Sequence, residues 1–411
     1  MELIETIRDN QWWYARHPLR EHLDGVERLV LIVGGRRCQM VHSARGADGR
    51  VTRSFRFVQR EDRDHWAGLR GRSVSLRVEV PRSSEQVVGG EKSREPQRRV
   101  ISVRPVRDPQ KSIARTSDTE FDAFLFVDWS ASSSPGRGPN SIWIAEGWFE
   151  GSGLLRVDEP SNPDTRARAE AWVNERLALH ASQGRRVLVG FDFAFGYPNG
   201  DVPRLVGTAD ANWSGMWKVL SEGLKDGQRN ENNRWEVAAE LNERLQTFGF
   251  WGCPDGHETT WLLPTKAANR QVMEFRLVEQ SLRRGGSKPF SVWQLYGNGS
   301  VGSQAITGIP VCARIRKANG LQVWPFETQT RLPSRRDASH ILVEVWPGAI
   351  DVDLAAHTVK DAAQVLALVR WAASEDVAGT LARWFQLKGL SDEHRRLVIA
   401  REGWILGHLP V

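Results

Sequence analysis

Apolar and polar positions alternate differently in two parts of the chain. Before residue 110 the apolar runs are short and strand-like: Arg28–Val33, Arg37–Ser43, Val51–Val58, Ser73–Val80 and Val100–Val106. The second and third flank ARGADGR, whose Asp48-Gly49 pair is a hairpin turn signal. Residues 1–24 read as one or two short helices, with Trp12, Trp13 and Tyr14 as packing residues. Ser83–Arg99 is polar, Gly-bearing and without periodicity, which predicts a loop. After the polar linker Asp108–Glu120 the runs become more apolar. Phe121–Val127 (FDAFLFV), Ser141–Gly147 and Gly153–Val157 predict three strands in succession. Pro163–His180 has helical periodicity through Ala167, Ala171, Val173, Leu177 and Leu179. Arg186–Phe191 predicts a buried strand. A long stretch to about residue 335 holds at least two helices, one at Asn233–Leu245. His340–Trp346 is a further strand, and Val359–Ala373 a helix.

The second part therefore runs β-β-β-α-β-insertion-β-α. This is the order of an α/β, ribonuclease H-like mixed sheet, not of a doubly wound sheet that alternates from its start. Three regions follow: a β-rich N-terminal domain over 1–110, a linker over 111–120, and an α/β domain over 121–411 with an insertion at about 200–335.

Acidic residues sit where that order places ligands. Asp128 ends the first strand (FLFVDWSA) and Asp192 ends the fourth (LVGFDFAFGYP). In this fold those strands are parallel neighbours, and ligand sites lie outside the carboxyl ends of strands. Glu344 lies inside an apolar strand, and Asp361 opens the last long helix. Each has a bland alternative. Asp128 and Asp192 can cap turns, Glu344 can pair with a buried Arg or with His340, and Asp361 suits a first helical turn. Four converging carboxylates would need cations between them. Hard oxygen ligands suit Mg²⁺ or Mn²⁺, and two such ions would clamp a phosphodiester displacement with water as nucleophile.

The segments VDWSASSSPGRGPNSIWIAEG, FDFAFGYP, NNRWEVAAELN, WQLYGNGSVGSQAITGIP, EVWPG and VKDAAQVLAL resemble a bacterial family of predicted ribonuclease H-like nucleases. That family is related to the domains of unknown function with IDxPxGxP-type and ExHPE-type strands. The resemblance covers about residues 121–411. It implies that Asp128, Asp192, Glu344 and Asp361 are metal-binding acids. EVWPG departs from the ExHPE form in lacking its His and second acid. No family is recognised over residues 1–110.

Four further residues are candidate substrate contacts. Trp129 adjoins the first acid and is placed to stack on a base. Arg234 lies on a helix with a polar stripe. Asn298 and Ser300 belong to Gly297-Asn-Gly-Ser-Val-Gly302, a loop able to present N–H groups to phosphate. The helix after that loop is expected to be short, because Gly308-Ile-Pro310 interrupts it, and this argues against a dinucleotide fingerprint. Cys253 and His257, without a second close pair, are a poor zinc signal.

Charge sharpens the division. Residues 1–118 hold 24 Lys+Arg against 16 Asp+Glu, and 22 of the basic residues are Arg. The rest hold 32 against 34. Arg contacts phosphate through two donors at once, so the N-terminal domain is the expected nucleic-acid-binding part. Most of the 18 tryptophans lie in or beside apolar runs and read as core. No run approaches the roughly 18 apolar residues of a membrane span. Three cysteines, and a first segment without an apolar core, lead us to expect a cytoplasmic protein. The expected function is a metal-dependent nuclease. The rivals are a non-catalytic nucleic-acid or nucleotide-binding module on the same fold, and an actin-like or sugar-kinase-type ATP-dependent enzyme. The latter needs a second copy of the core and glycine-rich phosphate hairpins.

Overall fold

The structure, a computed structural model, describes residues 113–337, 340–350 and 356–411, and before them the backbone of seven strands. The chain divides into two units, Met1–Lys111 and Ser112–Val411. The first contains β1 (Ile7–Arg8), β2 (Gln11–Trp13), β3 (Arg28–Val33), β4 (Arg36–His42), β5 (Ser54–Phe57), β6 (Leu76–Val80) and β7 (Arg99–Val103). They form an antiparallel sheet in the order β1-β2-β5-β4-β3-β6-β7. Two short strands thus stand where the first 24 residues predict helix. The Asp48-Gly49 turn lies outside the described residues, as does the Ser83–Arg99 loop up to Arg98, Arg99 itself opening β7.

The second unit is α/β. Its mixed sheet contains β8 (Ala123–Asp128), β9 (Trp143–Phe149), β10 (Leu155–Val157), β11 (Val187–Phe191), β12 (Gln322–Val323), β13 (His340–Val345) and β14 (Ile405–Leu406). The order is β10-β9-β8-β11-β13-β12, with β14 also on β13. β9 is antiparallel to β8 and β10; the β8-β11, β11-β13, β13-β12 and β13-β14 pairings are parallel. Strands β8, β11 and β13 are buried almost throughout, which explains why their sequences are continuously apolar and do not alternate.

Helices cover both faces. Helix α1 (Arg166–Ser182) makes the crossover from β10 to β11, capped by Thr165 Oγ1 on the Arg168 N–H. The insertion holds α2 (Val202–Val206), α3 (Trp213–Gly223), α4 (Arg234–Leu245), α5 (Leu277–Arg284) and α6 (Val301–Asn319). After β13 come α7 (Lys360–Val377), α8 (Ala382–Phe385) and α9 (Asp392–Leu397). Side chains of α1, α3, α4 and α6 pack on one sheet face with Leu125, Val127, Val189, Phe191 and Leu342. Those of α7 pack on the other with Phe124, Phe126, Leu188, Val343 and Val345.

Helix α6 corrects one expectation. It runs through Gly308, Ile309 and Pro310 for 19 residues. Proline forfeits one helical hydrogen bond, but this helix is buried from Ala305 to Cys312 and its packing outweighs that loss. Gly308 is needed there: a Cβ would fall on the Phe193 ring. No strand precedes the 297–302 loop among the described residues, so a βαβ fingerprint is absent for a different reason than helix length.

Candidate active site at the carboxyl ends of β8 and β11

In the β8-β11 ladder Val127 pairs with Phe191, so Asp128 and Asp192 occupy the next row side by side. The Asp192 N–H donates to Val127 O at 2.9 Å, extending the ladder by one step. Both carboxylates are half-buried. Neither accepts a hydrogen bond nor forms an ion pair among the described residues. Burial raises the Asp128 carboxyl well above its ordinary 3.8, and the charges of Asp192 and Asp361 raise it further. Asp192 is pushed up to about 7, first by burial and then by the charges of Glu344 and Asp361. Lys360, exposed at the start of α7, acts in the opposite direction on both. The alternative in which Asp128 caps its own turn is not seen. That turn is held instead by Arg166, whose Nη1 donates to the carbonyls of Ser130 and Ser132.

Asp361 stands in the first turn of α7 and accepts the Asn140 N–H on Oδ2 at 2.7 Å. It is close enough to act electrostatically on the pair and is tied to the loop after β8.

Glu344 is placed differently. In the β11-β13 ladder it pairs with Phe191, one row short of Asp192. Successive side chains on a strand face opposite ways, so Glu344 projects with Phe191 and Val127, away from the face of the aspartates. There it is 2% exposed and meets Arg276, itself 1% exposed. Nη1 reaches Oε2 at 2.8 Å and Nη2 reaches Oε1 at 2.6 Å, while the Phe195 N–H donates to Oε2 at 2.9 Å. Arg276 also holds Glu279 and the carbonyl of Glu402. The expected grouping of four acids is therefore brought together only in part. The sheet joins Asp128 to Asp192, adds Asp361 from α7, and commits Glu344 to a buried arginine. Among the described residues no group of three or more His, Cys, Asp or Glu side chains stands close enough to hold a metal ion.

Trp129 corrects a second expectation. It is 2% exposed, donates Nε1–H to Thr307 Oγ1 at 3.2 Å, and packs edge-on to Phe191. It is a core residue with no face open to a base. Arg234 is buried at the start of α4, whereas Asn298 is exposed and Ser300 is the N-cap of α6. Residues the sequence did not single out include Arg276, Arg166 and Lys360. Only Lys360 had a local signal, its place beside Asp361. Arg276 is 68 positions from its partner.

No protein-family model, curated protein or solved structure matches the chain.

Proposed function

We propose that residues 112–411 form a ribonuclease H-like nuclease, hydrolysing phosphodiester bonds with a divalent ion, Mg²⁺ or Mn²⁺. The observation that carries this is the pair Asp128 and Asp192, two adjacent carboxylates at parallel strand ends without a hydrogen-bond donor among the described residues. With both groups ionised such a pair is unfavourable, and a cation between them relieves the repulsion above the raised pH range in which one stays protonated. The strand order, with an antiparallel second strand and the fourth beside the first, is the order expected of that fold. Hard carboxylate oxygens fit Mg²⁺, which commonly takes only one or two protein carboxylates along with water and substrate phosphate. Asp128 and Asp192 would hold the ion, with Asp361, whose charge acts on both, as a further donor. The bound ion would supply charge neutralisation and water activation.

The chain's own residues have definable tasks in this reading. The ladder bond from Asp192 to Val127 fixes the spacing of the pair. Arg166 shapes the loop after Asp128, and Arg276 anchors Glu344 and Phe195 beneath Asp192. Arg-rich residues 1–118 would hold the nucleic acid by phosphate contacts. That no three His, Cys, Asp or Glu side chains among the described residues stand close enough to hold a metal ion favours a second reading, a non-catalytic nucleic-acid-binding module. One experiment separates them. Full-length protein is assayed with Mg²⁺ or Mn²⁺ on single-stranded DNA, duplex DNA, RNA and hybrid, beside Asp128→Asn. Metal-dependent cleavage that falls at least about 100-fold in the variant is expected. No cleavage, or cleavage that survives in the variant, refutes the nuclease reading.

A further inference from the structure

Arg234 is a buried cation without a counter-ion. It is 8% exposed, yet it forms no salt bridge among the described residues. Its hydrogen bonds go to neutral oxygens: Nε to Ser303 Oγ at 3.2 Å, and Nη1 to Ser133 Oγ at 2.6 Å and Asn232 Oδ1 at 2.9 Å. Nη2 donates to nothing, and it is not among the side-chain atoms sealed from solvent without a partner. Asp226, whose charge acts on Arg234, is held by Nε and Nη2 of Arg166. Burial, and then the charge of Arg166, press the Arg234 guanidinium down to about 10, against the opposing charges of Asp226 and Glu236.

The position relates this group to the carboxylate pair. Ser133 lies in the loop that follows Asp128, and Ser303 lies in the first turn of α6. The same turn reaches Trp129 through Gln304 Nε2, which donates to its carbonyl at 2.6 Å. The N–H groups of Val301 and Gly302 are already bonded, to Gly299 O and Gln294 O. The helix end therefore adds its dipole, while the guanidinium carries the charge. Tyr296, 55% exposed, stands beside Trp235, over which Arg234 is stacked. An exposed aromatic side chain thus lies one ring away from the cation, beyond Trp235.

We propose that Arg234, with the hydroxyls of Ser133 and Ser303, is an anion subsite that takes a backbone phosphate of a single-stranded nucleic acid while another phosphate lies at Asp128 and Asp192. This rests on the nuclease reading for the second phosphate, but the subsite itself is testable without metal or turnover. A guanidinium offers a two-donor fork to phosphate, and an exposed aromatic side chain one ring away suits an unpaired base.

The probe is inorganic phosphate added to full-length protein in EDTA at constant ionic strength, read as a shift in thermal midpoint. A rise is expected in the wild type and in Asp128→Asn. It should disappear in Arg234→Gln and weaken in Ser133→Ala, an exposed position whose change does not threaten the fold. Should Arg234→Gln fail to fold, Arg234→Lys keeps the charge without the fork and is expected to weaken phosphate binding about tenfold. An unshifted wild type, or full phosphate response in both Arg234 variants, overturns the proposal. A single-stranded oligonucleotide should compete with phosphate. Phosphate binding that the oligonucleotide leaves untouched assigns the site to free phosphate and also overturns it. Phosphate binding without cleavage sinks the nuclease reading alone; cleavage without phosphate binding sinks the subsite alone.

Discussion

Replacing Asp192 by Asn should stabilise the metal-free protein, increasingly as the pH rises from 3.8 to about 7. The carboxyl is pushed from 3.8 to about 7 in the folded chain. At about 1.4 kcal/mol per pH unit, this costs the fold up to about 4 kcal/mol once the group is ionised. Partial exposure and coupling to Asp128 reduce that to roughly 1–3 kcal/mol. The sign follows from the raised value. The wild type keeps the full stability of the protonated carboxyl below pH 3.8 and loses it as the pH rises through 7. Asn never ionises, and no hydrogen bond to the Asp192 carboxylate is lost. The difference between variant and wild type should be near zero at pH 3, grow as the pH rises above 3.8, and reach its full value by pH 8. Urea unfolding in EDTA across this range measures it. Mg²⁺ or Mn²⁺ at pH 8 should raise the wild type toward the variant and leave the variant unmoved. A variant less stable than wild type at pH 8, or a difference that does not change with pH, would refute the reasoning.

Two further outcomes separate anchoring from ligation. Arg276→Met leaves Glu344 and Glu279 buried without their cation, so a loss of about 3–5 kcal/mol is expected by urea unfolding in EDTA; a loss under about 1 kcal/mol would remove Arg276 as the anchor. Gly308→Ala places a methyl on the Phe193 ring, one residue from Asp192, with an overpacking cost of about 1–3 kcal/mol. Titration with Mn²⁺ should show weaker binding in that variant with an unchanged circular dichroism spectrum, and equal affinity contradicts the proposed site.

Strand ends were legible because continuous apolar runs that stop at a polar residue mark buried parallel strands. β8, β11 and β13 begin or end within about two residues of the runs that predict them. The face of Glu344 was not legible. One residue of register decides which side of a sheet a strand residue occupies, and register is set by the ladder between strands far apart in sequence. Arg276 was hidden for the same reason, being brought to Glu344 only by the packing of the insertion. Local propensity at Gly308 and Pro310 points to a break that α6 does not have. Burial around the whole helix decides otherwise.

An acid at the end of an apolar strand is by itself a weak signal, and the fold shows why. Buried acids elsewhere in the second unit are matched by donors. Asp122 meets Arg115 and Arg335. Glu146 meets Arg176 and His180. Asp376 accepts the N–H groups of Glu120 and Phe121. Glu402 accepts those of Asn199 and Leu277, and Glu344 has Arg276. These are the ordinary solutions to burying a carboxylate, and they leave no oxygen in need of a cation. Asp128 and Asp192 lie on neighbouring strands, repel each other, and have none of these donors among the described residues. Turn capping and structural ion pairing explain the first group and fail for this pair. The contrast within one fold, more than the number of acids at the sheet edge, is what directs the nuclease proposal to these two residues.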